Sequence, residues 1–188
     1  MLLGENTDEI GASEYLATIH GTIAGAPPRV DLAGERRLVD AVLDAIARGA
    51  AASAHDCSDG GLAVALAECC MAADPDVRFG ADVDLTAWSD LPLRALLFGE
   101  AQGRVIVSTP DPDAVLAAAR AHDVPARVIG LVAGAAAPLT IRVGDRVVAA
   151  PLDTLADAYH GAIPRIMDGT PEARAEAARH GGSASQLE

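Results

Sequence analysis

The sequence predicts an α/β (α+β) layered domain in which a mixed β-sheet is packed with helices. Apolar residues make up 51% of the chain, but only 3% of the residues are aromatic, so the core must be aliphatic. Short runs with strand character alternate with longer runs at helical spacing, and glycine or proline stands at many of the junctions. Alternation of this kind is typical of helices layered on a sheet.

The first thirty residues predict a short strand, a short helix and a connector. Residues 1–4 form a brief apolar run that stops at Glu5. So abrupt a beginning predicts that the chain is cut from a longer polypeptide or that this strand pairs with a partner. Residues 13–17 predict a helix that ends near Gly21, and residues 26–28 predict a connector.

A long helix is predicted from Leu32 to Arg48. Asp31 is a suitable N-cap and Gly49 a suitable C′ residue. Four apolar residues fall at helical spacing: Leu38, Val42, Leu43 and Ile46. Residues 51–55 then predict a short buried strand. Residues 61–72 predict a helix that is apolar on every face and therefore sandwiched between two layers.

The second half of the chain alternates again between strands and helices. Strands are predicted at 79–85, 104–108 and 125–132, and helices at 92–98 and 111–122. The second of these helices begins with Asp111-Pro112-Asp113, which supplies a cap, a proline in the first turn and an acid beside the helix dipole.

The last elements are a hairpin and a helix. Residues 139–143 and 146–149 flank Gly144-Asp145, which predicts a tight turn. A helix is predicted at 152–159, and residues 163–167 add a turn.

Two regions are expected along the chain. Residues 1–167 are predicted to form one domain. Residues 168–188 lack apolar periodicity and are predicted to form a flexible tail.

Charge and cysteine content exclude several classes of function. The formal net charge is −13, which disfavours binding to nucleic acids and to anionic membranes. The chain contains no lysine, so it has neither a Walker-type phosphate lysine nor a Schiff-base lysine. Its three cysteines form no C-x-x-C pair, and no signal peptide is recognisable, so a cytoplasmic location is expected.

The segment from His55 to Leu62, between a predicted strand and a predicted helix, holds most of the candidate site residues. Ser58 or Asp59 is expected to cap the first turn of the helix. The glycine pair Gly60-Gly61 allows a ligand or the sheet to approach the backbone closely. We therefore select six residues as candidates for substrate or nucleotide binding: His55, Asp56, Ser58, Asp59, Gly60 and Gly61.

Two interpretations of this segment remain open. A helix N-terminus at the end of a strand is a potential anion site. However, at ~5 Å and an effective dielectric of about 20, each carboxylate of Asp56 and Asp59 would repel a unit negative charge by about 3 kcal/mol. The alternative is that both carboxylates cap backbone amides. Cys57 lacks a predicted base and is expected to be a small buried residue.

Glu100 and Gln102 form the second group of binding candidates, in the segment before the strand at 104–108. They offer an acceptor and a bifunctional amide to a ligand. The alternative is an exposed loop in which Glu100 pairs with Arg104.

Three segments of the chain resemble the C-terminal domain of the phosphoribosylformylglycinamidine synthase family. His55–Leu62, continued by Ala63-Val64-Ala65-Leu66-Ala67-Glu68, resembles the motif that opens the family's central helix. Gly11–Leu16 is similar to Gly-Gly-Ser-Glu-Tyr-Leu, with Ala12 at the second glycine. Leu97–Val105 is similar to Phe-Ser-Glu-Ser-Gln-x-Arg-Val. The order and spacing match over residues 1–167.

The resemblance implies a fold like the C-terminal domain of aminoimidazole ribonucleotide (AIR) synthase. It also implies a ligase that converts formylglycinamide ribonucleotide to formylglycinamidine ribonucleotide with ATP and glutamine-derived ammonia. Mg²⁺ and ATP are the cofactors expected of the complete enzyme. The implied partners are the enzyme's N-terminal nucleotide-handling domains, a glutaminase subunit and a small accessory subunit.

One departure from the family pattern concerns the third of these segments, Leu97–Val105. In the first half of the family's enzymes, a Glu-Ser-Gln segment contacts substrate. This chain matches the second half and has Ala101 in place of the serine. The chain alone is expected to be inactive. The alternatives are a non-catalytic nucleotide- or partner-binding module and a related ATP-using enzyme, namely AIR synthetase, selenophosphate synthetase or a hydrogenase maturation protein.

Overall fold

The computed structural model describes residues 1–71, 78–135, 137–167 and 169. The strands in this part of the chain are β1 (Leu2–Leu3), β2 (Ser53–Asp56), β3 (Ala81–Asp84), β4 (Val105–Ser108), β5 (Ala126–Arg127), β6 (Gly130–Val132), β7 (Leu139–Val143) and β8 (Arg146–Ala150). The α-helices are α1 (Glu14–His20), α2 (Leu32–Ala47), α3 (Gly61–Met71), α4 (Leu93–Phe98), α5 (Pro112–Ala121) and α6 (Leu152–Met167).

The strands form two four-stranded sheets. The first has the order β2-β4-β1-β5 and is antiparallel throughout. The second has the order β6-β3-β7-β8 and is mixed, because β3 pairs parallel with β7 and antiparallel with β6. The predicted α/β layered class with a mixed sheet is confirmed, and the chain contains a second sheet in addition.

Strand β1 connects the two hydrophobic cores. Successive side chains of a strand point to opposite faces. Leu2 packs in the core around α3, and Leu3 packs in the core formed with α2 and α5. Both edges of β1 are paired within the chain, with β4 and β5. The expectation that this strand needs a partner chain is therefore wrong.

Helix α3 lies between the two sheets, as its apolar sequence predicts. Leu62, Ala65 and Leu66 are buried in one core cluster with Ile106 of the first sheet and Ile141 of the second. Leu62 is completely buried, which contributes about 1.5–3 kcal/mol relative to an exposed leucine.

Helix α2 has the predicted ends but a different packing face. Asp31 accepts a hydrogen bond from the amide of Ala33, and Gly49 has a positive φ just beyond the helix. The face that packs against α5 is Leu38, Ala41 and Ala45. Of the four residues predicted for the apolar face, Leu38 is buried in this core and Val42 packs against it, whereas Leu43 and Ile46 lie outside because the alanines form the rest of the contact. Four large aliphatic side chains of α2 are half exposed or more: Leu32 at 78%, Val39 at 50%, Leu43 at 57% and Ile46 at 50%.

Three further elements differ from their predictions. Strand β2 is an exposed edge strand and not a buried one. The run at 125–132 is not one strand: β5 belongs to the first sheet, Ile129 turns into the core, and β6 belongs to the second sheet. Helix α6 does not stop at residue 159 but continues through Pro164 to Met167.

The hairpin and the start of α5 agree with their predictions. The hairpin turns at Gly144-Asp145, with Val143 opposite Arg146. Asp111 accepts a hydrogen bond from the amide of Ala114, and Pro112 begins α5. Except for Gly169, the residues of the predicted tail at 168–188 lie outside the described part of the chain.

Candidate functional site

A cleft of about 460 Å³ lies between α2 and the loops that follow β2 and α4. Five of the eight predicted site residues line it: Asp56, Ser58, Asp59, Glu100 and Gln102. The opposite wall comes from α2 and is mainly apolar, with Leu38, Val39, Val42 and Leu43 beside one carboxylate, that of Glu35. The cleft therefore has one mainly aliphatic wall and one wall rich in carboxylates.

The turn between β2 and α3 is held by its own side chains. The hydroxyl of Ser58 donates to Oδ2 of Asp56 at 2.5 Å, and this bond is the main reason why the pKa of Asp56 is lowered. The amide of Gly60 donates to Glu100 and that of Gly61 to the backbone carbonyl of Ser58, so the prediction that the side chain of Ser58 or Asp59 caps the start of α3 is wrong for these two amides. Asp59 is exposed at the rim of the cleft.

Glu100 caps the turn instead, from a different part of the chain. Its Oε1 accepts the amide of Gly60 at 2.9 Å and the amide of Glu14 at 2.8 Å. A single carboxylate oxygen thus joins the N-terminal turns of α1 and α3. All three sequence motifs meet at this atom. Sequence reasoning selected Glu100 only as a ligand candidate and missed this role, because no local pattern indicates a cap forty residues away.

Arg104 is the buried cation beneath the cleft and was not selected as a site residue. Only 2% of its surface is exposed. Its guanidinium donates to the carbonyls of Gly99 at 2.6 Å and Ala101 at 3.1 Å, and to Oδ1 of Asn6 at 3.0 Å. Desolvation lowers the pKa of Arg104. Among the described residues these acceptors replace the predicted pairing of Arg104 with Glu100.

Cys57 has the character expected of a packed residue. It is buried, and its amide donates to the carbonyl of Arg104 at 2.9 Å. Desolvation by burial raises the pKa of the Cys57 thiol to about 11. The thiol is therefore protonated at neutral pH and is a poor nucleophile. All three cysteines are free.

His55, Gly60 and Gly61 stand outside the lining of the cleft. The Nδ1 of His55 lies 2.6 Å from the Asp56 carbonyl oxygen, a contact in which the nitrogen must donate. Its Nε2 lies 3.5 Å from Oε2 of Glu68 on α3. Both ring nitrogens therefore face groups of the protein. Gly60 and Gly61 have φ of +77° and +68°, the left-handed region in which glycine is favoured.

Gln102 faces the cleft and stabilises the loop that carries it. Its Nε2 donates to the carbonyl of Glu100 at 3.2 Å, which leaves the amide oxygen of the side chain available to a ligand.

The donor set does not fit a metal ion held by this chain alone. No group of three or more His, Cys, Asp or Glu side chains within the described ranges is close enough to hold one. In the same part of the chain, no helix is long and apolar enough to cross a membrane.

The sequence profile of the family described as AIR synthase related protein, C-terminal domain, matches residues 1–138. The chain belongs to this family. That membership agrees with the resemblance drawn from the three motifs and accounts for the two sheets packed with helices.

Several curated relatives of the chain carry the same name. The phosphoribosylformylglycinamidine synthase subunit PurL of Moorella thermoacetica is 42% identical over 170 residues, which cover 89% of this chain and 22% of the relative. The subunit of the same name from Thermomicrobium roseum is 47% identical over 135 residues, which cover 71% of this chain and 18% of the relative. The chain thus spans about a fifth of the curated relatives that it matches.

Solved structures share the fold. T. maritima PurL complexed with FGAR has a TM-score of 0.67 at 23% identity and is matched over 82% of this chain and 27% of its own. T. maritima PurL complexed with ATP has a TM-score of 0.61 at 23% identity, over 82% and 25% of the two chains.

Ala101, which stands where the family segment has a serine, is buried in this chain. Ala101 is 3% exposed, and its carbonyl accepts from Nε of Arg104. Ala101 does not line the cleft but lines a second cavity, so a serine hydroxyl at this position would not belong to the cleft wall. The absence of that hydroxyl therefore removes nothing from the cleft wall.

Ala12, at the second glycine of the family motif, adopts a strained backbone conformation. Its φ is +55°, and its amide donates to the carbonyl of Ala24 at 2.8 Å. A non-glycine residue in this conformation costs about 1–2 kcal/mol. We expect Ala12→Gly to raise the free energy of unfolding by about 1 kcal/mol in urea denaturation, because the strain exceeds the added entropy of the unfolded chain.

Ala17→Gly is the matched control for this substitution. Ala17 lies inside α1, where glycine costs about 0.5–1 kcal/mol, so the opposite sign is expected. A loss of stability in both variants would contradict the strain at Ala12.

Proposed function

We propose that the chain is the C-terminal domain of the second half of a phosphoribosylformylglycinamidine synthase and works only as part of the larger enzyme. The observation that carries the proposal is the convergence of the three family motifs on the Glu100 carboxylate. The names of the relatives support the same enzyme, at 42% and 47% identity.

The proposed reaction is the formation of an amidine. The amide oxygen of formylglycinamide ribonucleotide attacks the terminal phosphorus of ATP and releases ADP. Ammonia derived from glutamine then attacks the activated carbon, and phosphate leaves with the former amide oxygen. The enzyme is accordingly a carbon–nitrogen ligase with glutamine as the nitrogen donor.

The carboxylates of the cleft determine which part of this chemistry the chain can serve. Asp56, Asp59 and Glu100 all line the cleft, and carboxylates there repel a bare phosphoryl group. The guanidinium of Arg104 is already shared among three protein acceptors. We therefore assign the phosphoryl group to domains outside this chain, and to the cleft of this chain the contacts with other parts of the ligand.

Roles follow for the candidate residues. We propose that Asp56, Ser58, Asp59 and Gln102 face the ligand, since they line the cleft. His55, Gly60 and Gly61 would shape the turn behind them.

ATP is proposed as a substrate of the complete enzyme, supported by the neighbouring structure complexed with ATP. Mg²⁺ would neutralise the phosphate charges of ATP. Because the described residues bring no three ligands together, most of the ligands of such an ion would have to come from the other domains.

The wider setting is also part of the proposal. Residues 1–167 would form the domain and 168–188 a flexible tail. The partners would be the N-terminal nucleotide-handling domains, a glutaminase and a small accessory subunit, in the cytoplasm. A structure of PurLQS from Thermotoga maritima, 23% identical with a TM-score of 0.59, supports the presence of companion subunits by its name.

A chimeric enzyme tests the proposal. This chain replaces the matching segment of the Moorella thermoacetica relative, and ADP release is measured with formylglycinamide ribonucleotide and ammonia. ADP release that requires both substrates is expected, whereas a folded chimera without it would overturn the proposal.

Calorimetry of the isolated chain tests the alternative of a self-sufficient binding module. ATP, ADP and formylglycinamide ribonucleotide are titrated into the chain with and without Mg²⁺. We expect no saturable heat, because the carboxylates that line the cleft repel phosphate and the groups that would bind the phosphoryl chain are assigned to other domains. Saturable binding would favour the module.

A further inference from the structure

Glu100 uses one oxygen to hold two segments that are distant in sequence. Its Oε1 accepts the amide of Glu14, which is 86 positions away, and the amide of Gly60, which is 40 positions away. Both amides belong to the first turn of a helix or the residue just before one, where backbone donors lack intrahelical partners. The carboxylate therefore determines how the turn carrying Asp59 lies against the motif at residues 11–16.

The backbone around Glu100 is fixed as firmly as its side chain. Arg104 donates to the carbonyl of Gly99 on one side and to the carbonyl of Ala101 on the other. Gln102 donates to the carbonyl of Glu100 itself. Three consecutive carbonyls thus have side-chain partners, so the loop holds Glu100 in one place.

We infer that Glu100 is a positioning residue, supported from below by Arg104, and not a ligand-binding group. Its task is to hold the turn with Asp56, Ser58 and Asp59 against the start of α1. The expected effect of Glu100 on catalysis rests on the proposed function, whereas its role in holding the two segments together does not.

The inference makes carboxylate and carboxamide nearly equivalent at position 100, while the length of the side chain is decisive. The oxygen of glutamine can accept the same two amides, since a carbonyl oxygen has two lone pairs. Aspartate keeps the charge but is one methylene shorter and cannot reach both amides from a fixed backbone. A group that bound a ligand by its charge would give the opposite order.

Hydrogen exchange in the full 188-residue chain is the first test. In Glu100→Asp and Glu100→Ala we expect the amides of Glu14 and Gly60 to exchange about tenfold faster or more, the equivalent of one lost hydrogen bond. In Glu100→Gln we expect a change of about threefold or less. The amides of α5 report whether each variant remains folded. Glu5→Gln, at an exposed carboxylate, is the charge-matched control.

The chimeric enzyme described above supplies the second test. Glu100→Gln should retain kcat/KM within about threefold, and Glu100→Asp should lose about a hundredfold, the scale of an ångström-sized misplacement. Equal loss in both variants would overturn the inference, because it would mean that the charge itself is required.

The two tests separate the inference from the proposed function. If the unsubstituted chimera is folded but inactive, the proposed function fails and the exchange data still decide the role of Glu100. If both amides keep their protection in a folded Glu100→Ala variant, the inference fails whatever the activity.

Discussion

Replacing Arg104 by methionine should lower the free energy of unfolding by about 3–5 kcal/mol, one of the two largest effects expected in the domain. Methionine fills similar space but leaves three acceptors without a donor: the carbonyls of Gly99 and Ala101, and Oδ1 of Asn6. A buried polar group without a partner costs about 1–3 kcal/mol. Urea denaturation followed by the fluorescence of the single tryptophan, Trp88, measures the effect.

Two further variants test whether the effect comes from burial and from the geometry of the guanidinium. Arg94 is exposed, so Arg94→Met should change stability by less than about 0.5 kcal/mol. Arg104→Lys keeps the charge but loses the planar fork that reaches three acceptors, and should be nearly as unstable as Arg104→Met. If the lysine variant matched the wild type, charge and not geometry would be the contribution of Arg104.

Gly61→Ala should destabilise the domain by about 2–5 kcal/mol. The φ of +68° disfavours a side chain by about 1–2 kcal/mol. An added Cβ would also lie 2.5 Å from the carbonyl oxygen of Gly99 and 2.9 Å from the carbonyl carbon of Phe98. Both are backbone atoms that cannot rotate away, and forced overpacking costs about 1–3 kcal/mol more.

Gly49 provides a close control. Its φ is +69°, but an added Cβ would meet no atom within 4 Å. Gly49→Ala should therefore show the conformational cost alone, about 1–2 kcal/mol. The difference between the two variants in urea denaturation isolates the close approach of α3 to the loop after α4. Equal losses would contradict that approach.

Elements with local signals could be predicted from the sequence. Asp31 and Gly49 mark the ends of α2 because a cap and a left-handed residue act on their own neighbours. The hairpin at Gly144-Asp145 is equally local. Helix α3 was recognised because a helix apolar on every face has to be covered on every face.

Features that depend on distant parts of the chain could not be predicted in this way. The alanine face of α2 is chosen by α5, whose alanines permit close packing, and not by the hydrophobicity of α2 itself. The run at 125–132 is divided because Gly130 fits against the backbone of β3, where an added Cβ would lie 2.1 Å from the carbonyl oxygen of Asp82.

The candidate site shows the same division. Five residues chosen from the motifs do line one cleft, because a strand–helix turn and a helix–strand loop come together beside α2. No local sequence pattern indicates that Arg104 is a buried donor to backbone carbonyls or that Glu100 caps the turn before α3. Both roles depend on contacts that form only in the folded chain.

The position of β1 has a consequence for the order in which the molecule folds. Strand β1 lies at residues 2–3, yet Leu2 pairs with Ile106 and Arg127, which are more than a hundred residues away in sequence. During synthesis the ribosome must release most of the domain before the central strand finds either neighbour. Pairings so distant in sequence make the contact order high, and folding correspondingly slow. Until then Leu2 and Leu3 remain exposed, so the nascent chain passes through a stage in which chaperone binding would protect it from aggregation.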